Sequence, residues 1–359
     1  MANAEGTASV LVRCDGDWAM GLGHVVRCVA LARELVDAYQ WRCAFAVREG
    51  EAGRALVERA GFATEPMRPG ESEETWLEAI TERVSPDAVI VDAVRDVPER
   101  LVALWRRRRA VLATIDTPIR ARLGAELAFF HSERAAAALD WSGFSGTVVA
   151  GWEWVVLRRA FRLPAPAPRD EPPRLLIAMG GSDPAGLTAR AGAAMELVAC
   201  PVTLSVLLGP AFAERAAIEA GLQRGRHPYE VHVAADDPAP IMGQCALGLV
   251  SYGVTALELA ALGVPALHLC LSAAHLQASE DLCAAGGSLC LGLAERVSPA
   301  ALAGAVETLL ADGARRAGMR AVALQLGLGG GAAAVARRLA GAVEQRKRSA
   351  KIGSVPPER

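Results

Sequence analysis

The chain has 359 residues, more than one ordinary hydrophobic core accommodates, so two domains are expected. Apolar residues make up 52% and charged residues 22%, with a formal net charge of -2. That balance has no global basic field and argues against nucleic acid as a partner. No basic segment leads into an apolar signal core, and no apolar stretch reaches the roughly 18 residues of a span. A cytoplasmic protein without an integral membrane segment is the expectation. The eight cysteines, at positions 14, 28, 43, 200, 245, 270, 283 and 290, lie mostly inside apolar runs and lack the close spacing of a zinc site. Free thiols in a reducing compartment account for them. The cluster Arg106 to Arg109 follows Trp105 among apolar residues and reads as a helix surface.

Short β-like runs alternate with longer helical ones. Residues 9–12 read as a strand, 25–39 as a helix, 42–47 as a strand and 51–60 as a helix. A helix around 76–81 precedes the apolar strand 88–91, which ends at Asp92. The helix 98–109 precedes the strand 110–115, which ends at Asp116. Residues 163–173, LPAPAPRDEPP, hold five prolines and form a stiff linker. The rhythm then restarts, with strands at 174–179, 202–208, 231–233, 247–250 and 266–271. Helices separate them at 187–198, 211–220, 239–245 and 255–261, and continue at 275–285, 299–312 and much of 316–346. The fold class is α/β: two Rossmann-like halves, each a parallel sheet covered by helices, facing a cleft. The domains are 1–162 and 174–345, with a loose tail over 346–359. Gly327 to Gly331 separates two helices, a further ligand loop being the alternative, and periodicity leaves open whether the last helix packs back across the interdomain junction.

Candidate chemistry sits where strands turn into helices, because ligands of parallel sheets bind at the carboxyl ends of strands. Gly21-Leu22-Gly23-His24-Val25-Val26-Arg27 lies at the first such turn. Gly21 and Gly23 let the backbone approach a ligand, and His24 can carry a proton near neutral pH. A plain βα turn with a polar histidine is the structural alternative. Gly180-Gly181-Ser182-Asp183-Pro184 follows the first strand of the second half, either as a polar ligand loop or as a capped turn. Ser251, Gly253, Thr255 and Glu258 occupy the equivalent place after 247–250. Backbone N–H groups and Thr255 suit a phosphate and Glu258 suits vicinal hydroxyls, while the Thr-to-Glu spacing equally fits a capping box. His268 lies within an apolar strand and reads as internal; His275 follows that strand. His131, His227 and His232 lack local partners. The acids Asp15, Asp17, Asp92 and Asp116 have no histidine cluster beside them, so no metal is expected, and no cofactor. The first half also lacks the third glycine of a dinucleotide fingerprint.

Taken together, Arg13-Cys14-Asp15, Gly21 to Ala32 (GLGHVVRCVALA), Gly151 to Arg158 (GWEWVVLR), GGSDP and the run from Thr255 through Glu258 to Pro265 resemble the bacterial UDP-sugar hydrolases of pseudaminic acid biosynthesis. That family is built like the GT-B glycosyltransferases, with close similarity to the lipid II-forming N-acetylglucosaminyltransferase. The resemblance implies a UDP-sugar substrate held mainly by the second domain, with His24 and Asp15 catalytic, Asp15 as a polar neighbour near the sugar or the attacking water. Arg27, Asp92, Gly180, Gly181, Ser182, Asp183, His275 and Gln277 then join the binding set. It implies hydrolysis, with water attacking the anomeric carbon; glycosyl transfer to a small-molecule or glycan acceptor is the alternative, and silent UDP-sugar binding a second one. The chain departs from the family in reading Asp92-Ala93-Val94 for an Asp-x-Tyr element, and Ser272 to Gln277 where an Asn-Gln pair is expected.

Overall fold

The computed structural model describes residues 7–17, 21–48, 51–168, 171–183, 185–209, 212 and 214–352. Those up to Asp17, from Leu22 to Arg158 and from Gly330 onward make one compact unit. Those from Arg159 to Gly329, with Gly21, make the other.

In chain order the first unit contains β1 (Ser9–Cys14), α1 (Gly23–Tyr39), β2 (Arg42–Val47), α2 (Glu51–Arg59), β3 (Ala63–Thr64) and α3 (Glu73–Val84). It continues with β4 (Ala88–Asp92), α4 (Glu99–Arg107), β5 (Val111–Ile115), β6 (Leu127–Phe130), α5 (Glu133–Ala137) and β7 (Thr147–Ala150). The strands lie in the order β3-β2-β1-β4-β5-β6-β7, paired in parallel throughout. Parallel sheets are covered on both faces, which is why β4 (AVIVD) and β5 (VLATI) are buried at every residue. One face packs α1 through Val25, Cys28, Leu31 and Leu35, at helical spacing. The other packs α3 and α4 through Trp76, Leu77, Ile80, Leu101 and Trp105. Ser72 starts α3 by accepting the Thr75 N–H at 3.1 Å. The buried Trp105 indole donates to Thr81 Oγ1 at 2.9 Å.

The second unit contains β8 (Arg174–Ala178), α6 (Leu187–Met195), β9 (Thr203–Leu208), α7 (Arg215–Gln223), β10 (Tyr229–Val233), α8 (Ala239–Gly243) and β11 (Leu247–Ser251). After these come α9 (Val254–Leu262), β12 (Ala266–Cys270), α10 (Ala273–Ala284), β13 (Ser288–Leu293), α11 (Pro299–Ala311) and α12 (Gly313–Gln325). Its sheet runs β10-β9-β8-β11-β12-β13, again parallel. Both sheets reverse their winding once, between β1 and β4 in the first and between β8 and β11 in the second. Such switch points leave a crevice at the carboxyl ends of the strands.

The last helix, α13 (Gly331–Ile352), corrects the expected boundaries at 345 and 346. Ala332, Val335, Ala336, Leu339, Ala340 and Val343 lie in the core of the first unit beside α1. Close backbone approach requires glycine at its start, since a Cβ on Gly331 would stand 2.0 Å from Val155 O. The polar residues after 345 look loose in sequence because their partners are remote. Arg346 donates to Ala110 O at 3.1 Å and to Glu126 Oε1 at 2.8 Å, and Lys347 pairs with Asp87 at 2.8 Å. These bonds carry the helix to Ile352; residues 353–359 of the expected tail lie outside the described residues. The expected break at Gly327 to Gly331 is a short 3₁₀ turn at Leu328–Gly330. Residues 313–350 reach the length and mean hydropathy, 1.3, of a membrane-crossing helix. That stretch is two helices, however, whose apolar residues, such as Met319 and Leu339, are already buried in protein cores.

Candidate functional site

Three strand ends and one helix start of the first unit bring charge together. Asp92 closes β4 with no exposed surface, Asp116 follows β5, His131 follows β6, and His24 and Arg27 occupy the start of α1. His24 Nδ1 lies 2.6 Å from Asp92 Oδ1. Arg27 donates to the same carboxylate twice, from Nε to Oδ2 at 2.5 Å and from Nη2 to Oδ1 at 2.6 Å, and the Cys28 thiol approaches Oδ2 at 3.5 Å. The other arm of Arg27 reaches Asp116 Oδ2 at 3.1 Å. Asp116 Oδ1 in turn accepts the His131 N–H and meets His131 Nδ1, both at 2.8 Å. One guanidinium therefore joins two His–Asp pairs.

Burial alone would raise the Asp92 carboxyl, but the Arg27 guanidinium and the His24 imidazole outweigh it and hold it well below the usual carboxylate range. Asp116 is also lowered, burial being overcome by His131 and Arg27. Burial works against the Arg27 charge, yet its two carboxylates raise its pKa further. An ionised Asp92 fixes a proton on His24 Nδ1, which leaves Nε2 as the nitrogen that can take or give one. The His24 side chain retains 27% of its exposure, so that nitrogen belongs to an accessible group.

Asp15, expected near the sugar or the attacking water, is held by Arg13 and Arg48. Arg13 Nη1 donates to Asp15 Oδ1 at 2.6 Å, and the Arg48 N–H reaches the same oxygen at 3.3 Å. Arg13 also binds Glu73 through Nε and Nη2, at 2.9 and 2.6 Å. The reason is strand geometry: residues two apart share a face, so Asp15 meets Arg13. Gly21 has φ +89°, a backbone state that suits glycine, and Gly23 is the first residue of α1.

In the second unit, Gly180 (φ +96°) and Ser251 meet across the switch point, a Cβ at Gly180 lying 3.8 Å from Ser251 Oγ. Gly181 supports the neighbouring loop, because a Cβ on Gly209 would lie 2.0 Å from Gly181 O. The Asp183 carboxylate accepts from Leu187 N at 2.8 Å and Thr188 N at 2.6 Å, clamping the start of α6. These are the bonds of the capped-turn alternative; Ser182 adjoins Asp183, and Pro184 lies outside the described residues. The start of α9 lacks such a clamp from its N-cap. Its N-cap is Gly253, which has no side chain to cap with, so Thr255 and Glu258 do not form a capping box. Glu258 is buried at 3% exposure one turn into the helix. His275 lies half-buried in the first turn of α10, its N–H donated to Ser272 Oγ at 3.2 Å, and burial lowers its pKa. Gln277 is exposed on the same helix. Among the described residues no group of three or more His, Cys, Asp or Glu side chains is placed to hold a metal ion.

His268 is internal, as its apolar strand suggests, with Cys283 Sγ 3.9 Å from Nδ1 and the Tyr252 ring 5.3 Å away. Burial pushes it down to about 4. A histidine lowered by folding stabilises fully above its unfolded value and loses that contribution as pH falls. Urea unfolding should therefore show about 3 kcal/mol of stability lost between about pH 6.5 and 4. His268→Leu should flatten that slope; an unchanged slope would assign the acid sensitivity to other groups.

Asp116 and His131 are the site residues that sequence reasoning passed over. Each is the first polar residue after an apolar strand, in ATI-Asp116 and AFF-His131. That placement, at carboxyl ends of neighbouring parallel strands, is the signal that could have found them.

No family model matches the chain. An uncharacterised protein of Methanocaldococcus jannaschii, MJ1062, is 24% identical over 280 residues, covering 72% of this chain; the chain spans 55% of that protein's length. Acinetobacter baumannii MurG superposes with a TM-score of 0.63 at 15% identity, covering 89% of this chain and 95% of that one. A UDP-GlcNAc 2-epimerase from Neisseria meningitidis, solved with UDP-GlcNAc, gives 0.60 at 13% identity, covering 93% and 100%. A spinosyn rhamnosyltransferase, SpnG, complexed with thymidine diphosphate, gives 0.60 at 16%, also covering 93% and 100%. At these identities the likeness is one of architecture. With two parallel sheets of Rossmann-like order, each flanked by helices, the chain has a GT-B-like fold.

Proposed function

We propose that this chain is a nucleotide-sugar enzyme that transfers a glycosyl group from a nucleoside diphosphate to an acceptor hydroxyl. The observation that carries the reading is the His24–Asp92 pair, locked by Arg27 at the switch point of the first sheet. In this reading His24 Nε2 takes the acceptor's proton as its oxygen bonds to the anomeric carbon. The bond from that carbon to the diphosphate oxygen breaks, and the nucleoside diphosphate leaves with the electron pair. Asp92 stabilises the imidazolium so formed. The backbone N–H groups opening α9 suit the leaving diphosphate, and Glu258 suits hydroxyls of the nucleotide. Support also comes from the structural relatives, among which SpnG is named a rhamnosyltransferase and was solved with thymidine diphosphate.

Hydrolysis is the second reading, favoured by the resemblance of the segment around His24 to UDP-sugar hydrolases. The epimerase among the relatives illustrates that this fold is not confined to transfer. Val94 bears on the choice: where that family has a tyrosine, it leaves 53% of its surface exposed and offers no hydroxyl, only apolar contact for an acceptor. Mass spectrometry of products separates the readings. Transfer yields a sugar conjugate only when cell extract supplies an acceptor; free sugar formed by the purified chain alone supports hydrolysis instead.

The nucleotide assignment has its own test. Glu258→Gln keeps the side-chain volume and removes the charge, so the Kd for UDP should rise about tenfold in calorimetric titration. Unchanged affinity would remove Glu258 from the nucleotide site.

A further inference from the structure

The cluster Arg106 to Arg109 behaves as a plain helix surface only in part. Arg106 and Arg107 end α4 in solvent, and Arg108 reaches Glu82 at 3.5 Å. Arg109 instead lines a pocket of about 750 Å³ in the first unit. The pocket opens at the amino-terminal ends of β5, β6 and β7, beside Val111, Leu127 and Thr147. That is the edge of the sheet opposite to His24, Asp92 and Asp116, so the pocket is separate from the proton-transfer site. Its wall is α13, which contributes Arg337, Arg338 and Arg346, and Trp154 adds an aromatic surface.

Charge in the pocket is unbalanced. Glu126 is its sole carboxylate, already shared by Arg346 and the Leu112 N–H at 2.6 Å. Among the described residues Arg109, Arg337 and Arg338 have no carboxylate partner. Arg109 stands at a helix stop. It has φ +62° just past the end of α4, with its N–H bonded to Arg106 O and the Ala110 N–H to Trp105 O. It is a left-handed helix stop of the kind also seen at Gln40 after α1 and Ser85 after α3. Buried Val111 and Leu127 and exposed Arg109, Arg337 and Arg338 share the lining, and the volume is that of a small-molecule site.

We propose that this pocket binds an organic phosphate, its apolar or aromatic body against Trp154 and Leu127 and its phosphate held by Arg109, Arg337 and Arg338. Guanidinium forks match phosphate oxygens in pairs, which is what three unpaired arginines around one opening offer. The ligand can be a soluble phosphorylated metabolite or the headgroup of an anionic lipid. The proposal does not rest on the nucleotide-sugar reading.

Calorimetric titration of the full chain with phenyl phosphate tests it, with inorganic phosphate as the comparison. Saturable binding of phenyl phosphate, tighter than inorganic phosphate, is expected. The double variant Arg337→Gln/Arg338→Gln, exposed on a helix and compatible with it, should weaken binding by at least about tenfold at unchanged Tm. Sedimentation with phosphatidylglycerol vesicles identifies the source. Co-sedimentation lost in the double variant assigns the headgroup, and its absence alongside phenyl phosphate binding assigns a soluble metabolite. No saturable phenyl phosphate binding, or equal binding by the double variant, would overturn the proposal.

Discussion

Replacing His24 by alanine is expected to lower nucleotide-sugar turnover by about 10²–10⁴-fold while leaving the affinity for UDP unchanged. The split follows from geometry. His24 belongs to the first unit, with Nδ1 tied to Asp92 and Nε2 on the opposite side of the ring, whereas the diphosphate loops proposed here belong to the second unit. A residue that acts only on the proton of the attacking group contributes to the transition state and little to nucleotide binding. A fall in UDP affinity as large as the fall in turnover would make His24 a binding residue. Full turnover in the variant would remove it from the chemistry.

The second large effect is on stability. Asp92 is fully buried, accepts two bonds from Arg27 and one from His24, and ties α1 to the end of β4. Asp92→Asn preserves its shape and removes the charge facing a largely buried guanidinium. Loss of one partner of a buried pair costs about 3–5 kcal/mol, which in a unit of this size lowers Tm by roughly 10 °C. The pH dependence has a definite sign. Because folding depresses the Asp92 pKa, its stabilisation is complete above the ordinary carboxylate range and is lost as pH falls through the folded value. Scanning calorimetry at neutral and acid pH should find parent and variant far apart at neutral pH and converging toward acid. Equal melting at neutral pH would show that Arg27 is satisfied by Asp116 alone.

Much of this arrangement was legible in the sequence. The apolar runs 9–12, 88–91 and 110–115 and the periodicity of α1 reflect burial on both sheet faces, so strand and helix patterns marked them clearly. His24, Arg27 and Asp92 were legible as well, each at a strand end or a helix start. Asp116 and His131 were not, because their partnership spans 15 residues and joins two strand ends that only the sheet brings together. Asp15 enters the candidate set through the resemblance, and its partner Arg13 follows from strand alternation at the end of β1. For Asp183 the pattern leaves capping and ligand binding both open, and its two bonds go to N–H groups of its own helix. The return of α13 to the first unit illustrates a different limit. An apolar stripe shows that a helix is buried, not against which core.

The most direct test of the central claim is nucleotide release by the purified chain from a panel of UDP- and CMP-sugars, with and without cell extract, read by mass spectrometry beside His24→Ala. The account predicts that at least one UDP-sugar yields UDP and a sugar product with the parent, and that the variant binds UDP equally but releases about a hundredfold less. Tight UDP binding with no turnover of any sugar nucleotide, or release undiminished in His24→Ala, would contradict it.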